Sequence, residues 1–228
     1  MKMMYVKIYF TEGVLATRPN DEKIMTRFIA DKAPNAKTRD EEIAAKGPEE
    51  IVERETTIYP RTKMGKPHFW DYQWKGYFKE KASFIRKNTT DDTGKKKPLS
   101  AGVKAFKKEI DGNTFVYPRK IVINTDESIY INQRPLRAGT PQGEIVALNS
   151  SEEIKARATC EFQVECMIDN YTDLVREWLD YGIRHGTGQW RNSGEGRFLW
   201  AELDEDGNQI GGNFTPEKYA KILAANEL

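Results

Sequence analysis

The clearest pattern in the chain is the alternation of apolar and polar residues over two separate segments. Val6, Ile8 and Phe10 lie on one side of a predicted first strand. Residues 158–168 alternate in the same way and predict a second core strand. Its apolar side is formed by Cys160, Phe162, Val164, Cys166 and Ile168. Each strand is expected to bury one face against a core.

Two further segments carry apolar residues at helical spacing, and one follows each strand. The buried face of the first helix is predicted to contain Trp74, Phe78, Ala82 and Ile85. In the second helix the apolar positions fall between 174 and 183, and Asn170 with Asp173 predicts an N-terminal cap. Residues 197–202 alternate again and predict a last core strand.

These elements, with paired strands between them, give the order βαββαβ, which predicts an α+β fold of the ferredoxin-like (RRM-like) type. The remaining sequence is expected to elaborate one domain, 1–228. A helical insertion is predicted at 19–60, a β-hairpin insertion at 88–148 and a C-terminal extension at 203–228. Within the second insertion, Asp111-Gly112-Asn113 predicts a turn between short apolar segments.

Composition narrows the classes of protein to consider. No run approaches the roughly 18 apolar residues of a membrane span, and the N-terminus lacks the features of a secretion signal. A cytoplasmic protein without membrane contacts is therefore expected. With two cysteines six residues apart on one strand and two histidines, neither a disulfide nor a structural zinc site is expected. No pattern indicates a cofactor.

Charge is unevenly distributed, although the net charge is only +1. Residues 75–108 carry eleven Lys and Arg against three Asp and Glu, whereas 200–228 carry two against six. Lys75, Lys79 and Arg86 share one face of the first predicted helix. This face could follow the phosphates of a nucleic acid, or it could simply be solvated.

The stretch His185 to Phe198, HGTGQWRNSGEGRF, holds four glycines, two arginines and a histidine. Glycines let a backbone approach a partner closely, and exposed N–H groups with arginines favour phosphate. The alternative is a plain turn between helix and strand. The candidate anion-binding residues of this loop are His185, Gly186, Gly188, Gln189, Trp190, Arg191, Asn192, Gly194, Gly196 and Arg197. Because the loop follows a helix, it does not match a dinucleotide fingerprint.

The order of these parts resembles the RAMP superfamily of CRISPR-associated proteins. Residues 186–198 look like that family's Gly-rich loop, which lies between the second helix and the last core strand. Residues 74–79, WKGYFK, resemble the start of the first helix in its backbone subunits, and 151–168 resembles the strand before the second helix. The resemblance covers about half of the chain and implies that residues 103–148 correspond to a thumb-like hairpin.

Three functions follow from the residues and this resemblance. The first is a non-catalytic protein that clamps the backbone of single-stranded, crRNA-like RNA, with Arg134 and Arg137 adding contacts and Tyr5, Tyr9 or Trp190 stacking bases. The family's backbone subunits also assemble with other effector subunits or with themselves along RNA. The second is a metal-independent endoribonuclease using His68, with Tyr72 and Lys75 assisting. The third is a phage-encoded interaction protein or mimic that engages a CRISPR complex. A binding protein is favoured over an enzyme.

Overall fold

The computed structural model describes residues 2–20, 56–87, 98–140 and 143–226, with side chains except at position 19 and at 136–148. Most of the predicted insertion at 19–60 and residues 88–97 lie outside this range. The strands of the described part are β1 (Lys2–Phe10), β2 (Val14–Leu15), β3 (Arg18–Pro19), β4 (Thr57–Ile58), β5 (His68–Trp70), β6 (Thr114–Tyr117), β7 (Lys120–Asn124), β8 (Tyr130–Thr140), β9 (Gly143–Ile154), β10 (Thr159–Cys166), β11 (Phe198–Leu203) and β12 (Gln209–Gly212). Its helices are α1 (Asp71–Ile85), α2 (Phe106–Asn113), α3 (Asn170–Asp180) and α4 (Pro216–Asn226).

The main sheet has the strand order of a ferredoxin-like fold. Its order is β12-β11-β1-β10-β7-β5, with β6 also paired to β10, and every pair is antiparallel. The first strand β1 therefore lies between β10 and the last core strand β11. Helix α1 follows β5 and precedes α2 in the chain, and α3 lies between β10 and the Gly-rich loop. The predicted α+β class and βαββαβ order are confirmed.

One face of the sheet packs against α1 and α3 to form the core. Along β1 the side chains of Met4, Val6, Ile8 and Phe10 are buried, as the alternation predicts. Trp74 of α1 lies 4.5 Å from Phe162 between ring centroids, and Phe78 lies 5.7 Å from Trp178 of α3. Cys160 and Cys166 are buried free thiols. These contacts fix α1 and the start of the Gly-rich loop relative to the sheet.

The opposite face of β1 is covered by the C-terminal segment. The ring of Tyr9 stacks on Phe214 at 3.6 Å between centroids, and Tyr219 of α4 donates from its hydroxyl to the carbonyl of Phe10 at 3.0 Å. Lys7 forms an ion pair with Glu161 at 2.8 Å. One face of the Tyr9 ring is thus already stacked within the protein.

The region 103–148 differs from the predicted hairpins in two respects. Residues 106–113 form helix α2 where a turn was expected, because Ile110 is fully buried against the core. The strands β6 and β7 belong to the main sheet. The long hairpin is β8–β9, paired without interruption from Tyr130↔Glu153 to Thr140↔Gly143, and it joins a second sheet of order β2-β9-β4-β3.

The start of α3 differs from the expected capping, and the start of α1 is held by a glutamine side chain. Helix α3 begins at Asn170 with Asp169 as its N-cap residue, and no side chain caps it. At the start of α1 the backbone N–H of Trp70 donates to Gln73 Oε1 at 2.7 Å. Trp70 is therefore held at the junction between β5 and α1, where its backbone is extended.

Candidate functional site

A groove of about 850 Å³ lies between the Gly-rich loop and the N-terminal half of α1. Its described lining residues come from five separate parts of the sequence. They are Thr17, Arg18, Pro60, Trp70, Tyr72, Gln73, Gly76, Tyr77, Glu80, Arg119, Thr187, Gly188 and Arg191. Three arginines and one glutamate are among them, so the lining carries a net positive charge.

The loop wall of the groove depends on close backbone packing between two glycines. A Cβ on Gly186 would lie 2.0 Å from the carbonyl carbon of Gly196, and a Cβ on Gly196 would lie 1.9 Å from the carbonyl oxygen of Thr187. The N–H of Thr187 donates to the carbonyl of Gly196 at 3.0 Å, which closes the loop. These glycines shape the loop, and Gly188 presents it to the groove.

Lys81 of α1 anchors the start of this loop. Its side chain is 0% exposed, and its ammonium donates to Glu80 Oε2 at 2.9 Å and to the carbonyl of Gly186 at 3.2 Å. Burial lowers the pKa of Lys81 to about 8, although Glu80 opposes the change. The sequence pattern missed this residue because a lysine on the apolar face of a helix is rarely a buried anchor.

His185 completes the anchor as a neutral imidazole. Burial, followed by the positive charge of Lys81, lowers the pKa of His185. Its Nδ1 lies 2.5 Å from Lys81 Nζ and its Nε2 lies 2.8 Å from Asn192 Oδ1. Since an ammonium can only donate, Nδ1 accepts, and we assign the proton to Nε2, which donates to Asn192. His185 and Asn192 therefore hold the loop together.

Arg191 faces the groove and is bound on its other side by Glu80. Its Nη2 and Nε lie 2.8 and 3.0 Å from Glu80 Oε1, and its Nη1 donates to the carbonyl of Gly188 at 2.9 Å. Burial alone would raise the pKa of Glu80, but hydrogen bonds from Arg191 and Lys81 lower it. Glu80 is therefore ionised, and it sets the direction of the guanidinium along the groove wall.

Arg134 connects the β8–β9 hairpin to the loop. Its side chain is 4% exposed, and its guanidinium carbon lies 4.8 Å from the centre of the Trp190 ring. Its Nη2 donates to Gln189 Oε1 at 3.3 Å. Arg134, Gln189 and Trp190 thus form the contact between hairpin and loop, and Arg134 is too buried to reach a phosphate in this arrangement. The side chain of Arg137 is outside the described part.

The second half of the loop packs beside three carboxylates. The guanidinium carbon of Arg197 lies 3.3 Å from where a Cβ on Gly194 would be. Burial raises the pKa of Glu12, and the positive charge of Arg197 opposes this rise. Burial, with the neighbouring Glu153 and Glu12, raises the pKa of Glu195 to about 7. Arg197 therefore lies near acidic groups and is not among the described groove residues.

The wall opposite the loop contains two arginines that the sequence pattern did not single out. Arg119 is 74% exposed, and its guanidinium carbon lies 5.7 Å from the centre of the Trp70 ring. Arg18 lines the groove, and its buried Nε has no hydrogen-bond partner among the described residues. Tyr72 and Gly76 are both exposed on α1, and a Cβ on Gly76 would meet nothing within 4 Å. Gly76 therefore keeps this wall open.

The predicted cationic stripe of α1 faces away from the described groove residues. Lys79 forms an ion pair with Asp111 of α2 at 2.6 Å, and Lys75 donates to the carbonyl of the same residue at 3.0 Å. Arg86 donates to the carbonyl of Lys104 at 3.2 Å. These three side chains join α1 to α2 and the segment before it.

Of the three residues suggested for RNA cleavage, only Tyr72 is among the described residues that line the groove. His68 is 1% exposed, and neither ring nitrogen has a hydrogen-bond partner in the part of the chain that the structure describes. Its ring packs edge-on against Trp70 at 4.8 Å between centroids, and burial lowers its pKa. His68 is therefore buried, whereas Tyr72 is exposed at the groove and Lys75 donates to the carbonyl of Asp111.

Comparison with known proteins identifies no family. No protein-family model matches the chain, and no curated protein matches it. Among solved structures, it is similar to a chain in the "Cryo-EM structure of the Type III-B Cmr-beta bound to cognate target RNA", with 9% identity and a TM-score of 0.45. The similarity covers 86% of this chain and 58% of that chain, so the present chain spans less than two thirds of its neighbour.

None of the described helices combines the length and the apolar character that a membrane crossing requires. The described residues contain no group of three or more His, Cys, Asp or Glu side chains placed to hold a metal ion.

Proposed function

We propose that this protein binds single-stranded RNA along the groove and holds its phosphate backbone without cleaving it. The observation that carries the proposal is the convergence of Arg18, Arg119 and Arg191 on a groove with a Gly-rich loop as one wall. The planar guanidinium group suits phosphate recognition, and contacts to phosphate do not depend on base sequence. The proposed RNA is of the crRNA-like class, because the loop lies between α3 and β11 as in RAMP proteins.

The position of each cation distinguishes this proposal from a general attraction to polyanions. Arg119 is largely exposed and its ion pair with Asp71 is long, at 3.5 Å. The Nε of Arg18 has no hydrogen-bond partner among the described residues, so both arginines are available to a phosphate. Lys75 and Lys79 already bind Asp111. We therefore assign phosphate contacts to the groove arginines in preference to the lysine stripe of α1.

The test measures the binding of a labelled, unstructured RNA by fluorescence anisotropy at roughly 50 and 300 mM salt. Wild-type protein should bind, and affinity should fall with salt. Arg18→Ala combined with Arg119→Ala should weaken binding by about tenfold or more, and should reduce the log–log salt slope by about 1.4. The charge-matched control combines Lys107→Ala with Lys108→Ala on α2. Equal behaviour of the two double variants, or no binding at low salt, contradicts the proposal.

Assembly along RNA is a separate part of the same proposal. Backbone-type proteins would occupy a long RNA in several copies, whereas a solitary relative would bind once. Analytical ultracentrifugation with RNAs of two lengths separates these outcomes, since only the former gives a mass that grows with RNA length.

A further inference from the structure

The end of the groove formed by β5 and the start of α1 carries aromatic surface that a phosphate clamp does not need. The rings of Trp70 and Tyr72 are nearly parallel, at 12° between planes and 6.3 Å between centroids. Both residues line the groove, and Tyr72 is 58% exposed. Aromatic rings that border an open groove provide stacking surface for a base.

Positive charges flank this aromatic pair. The ammonium of Lys120 lies 5.6 Å and the guanidinium carbon of Arg119 lies 5.7 Å from the centre of the Trp70 ring. The two cations are neighbours in sequence. Lys120 is the first residue of β7 and pairs with Trp70 of β5 across the sheet. A ring surface bordered by cations matches the chemistry of a nucleotide, in which a flat base is joined to an anionic phosphate.

The ring of Trp70 is also held in place by neighbouring residues. His68 packs edge-on against Trp70 at an interplanar angle of 79°, and the backbone N–H of Trp70 is fixed by Gln73. A fixed ring loses little conformational entropy on binding, so it is a better stacking partner than a mobile one.

From this arrangement we infer that Trp70 and Tyr72 form a stacking site for one unpaired base of the bound RNA, with Arg119 and Lys120 holding the adjoining phosphates. The inference rests on the proposed function and specifies its ligand. The protein would bind single-stranded RNA more tightly than an abasic chain with the same number of phosphates. It would also prefer single-stranded RNA to a duplex, whose bases are already stacked within the helix.

The experiment compares two oligomers with equal numbers of phosphates, a 5′-labelled oligoadenylate and a chain of abasic ribose phosphates. Wild-type protein should bind oligoadenylate about tenfold more tightly than the abasic chain. Tyr72→Ala should bring this ratio close to one, whereas Tyr72→Phe, which keeps the ring, should retain it. Tyr117→Ala removes another exposed tyrosine on β6 and should also retain it. Circular dichroism confirms that each variant is folded.

The outcomes separate the stacking site from the clamp. If wild-type protein binds both oligomers equally, or if Tyr72→Ala and Tyr117→Ala give the same ratio, the stacking site is refuted while salt-sensitive RNA binding remains. If neither oligomer binds, the proposed function fails and the stacking site fails with it.

Discussion

Lys81 Nζ of α1 and His185 Nδ1 of the Gly-rich loop lie 2.5 Å apart, and this contact joins the two walls of the groove. The helix that carries Lys81 also presents Tyr72, Gly76 and Glu80 to the groove. Because Lys81 also binds the carbonyl of Gly186, the loop cannot shift without breaking bonds to a buried charge. The width of the groove is thus set by a side chain that is itself fully buried.

The first prediction concerns the pH dependence that Lys81 imposes. Its pKa is about 8 in the folded protein against the ordinary 10.5, so the unfolded chain binds more protons between these values and stability rises with pH there. Relative to Lys81→Met, wild-type protein should gain about 2 kcal/mol of unfolding free energy between pH 7 and 9.5.

Denaturant unfolding of both proteins at several pH values measures this difference. Lys107→Met, an exposed lysine of α2, is the control and should follow the wild-type curve. Parallel curves for wild type and Lys81→Met would mean that Lys81 has an ordinary pKa and does not anchor the loop as a buried ammonium.

The second prediction concerns Gly76, whose missing side chain leaves the groove open. Alanine there meets nothing within 4 Å and removes an interior helical glycine, so Gly76→Ala should raise stability by about 1 kcal/mol. The added methyl group would extend into the groove, and RNA affinity should fall about fivefold, which corresponds to about 1 kcal/mol of binding free energy.

Gly112→Ala is the matched control for this change. Gly112 is also helical and exposed, and its Cβ would likewise meet nothing within 4 Å. Thermal unfolding should show both variants stabilised, and anisotropy should show RNA binding weakened only by Gly76→Ala. Equal RNA affinities for the two variants would place the RNA elsewhere.

Local patterns predicted the elements of this fold better than the contacts between them. The alternation in β1 and β10 and the helical spacing in α1 and α3 reflect a buried face, which sequence records directly. The Asp111-Gly112-Asn113 sequence suggested a turn, yet burial of Ile110 stabilises a helix there. Tertiary packing overrides local propensity at such a position.

Only part of the site could be predicted from the sequence, because sequence records local patterns better than contacts between distant segments. The Gly-rich loop is contiguous, so its residues could be identified together. Arg18 and Arg119 are separated by about a hundred residues, and no local pattern indicates that they face one groove. The pairing of Lys75 and Lys79 with Asp111 likewise depends on the packing of α2 against α1. A helical stripe of lysines does not record which partner neutralises it.

The third prediction uses the carboxylates beside the loop. Burial and the charges of Glu153 and Glu12 raise the pKa of Glu195 to about 7 from 4.5. The unfolded chain therefore binds fewer protons between these values, and this group lowers stability as pH rises from 4.5 to 7. Glu195→Gln removes the ionisation, so it should be more stable than wild type at pH 8, with the advantage disappearing towards pH 5. Thermal unfolding across this range measures the effect. Glu205→Gln, in the exposed turn after β11, should show no such trend. If Glu195→Gln is no more stable at pH 8 than at pH 5 relative to wild type, Glu195 is solvated and the loop does not press it against Glu153.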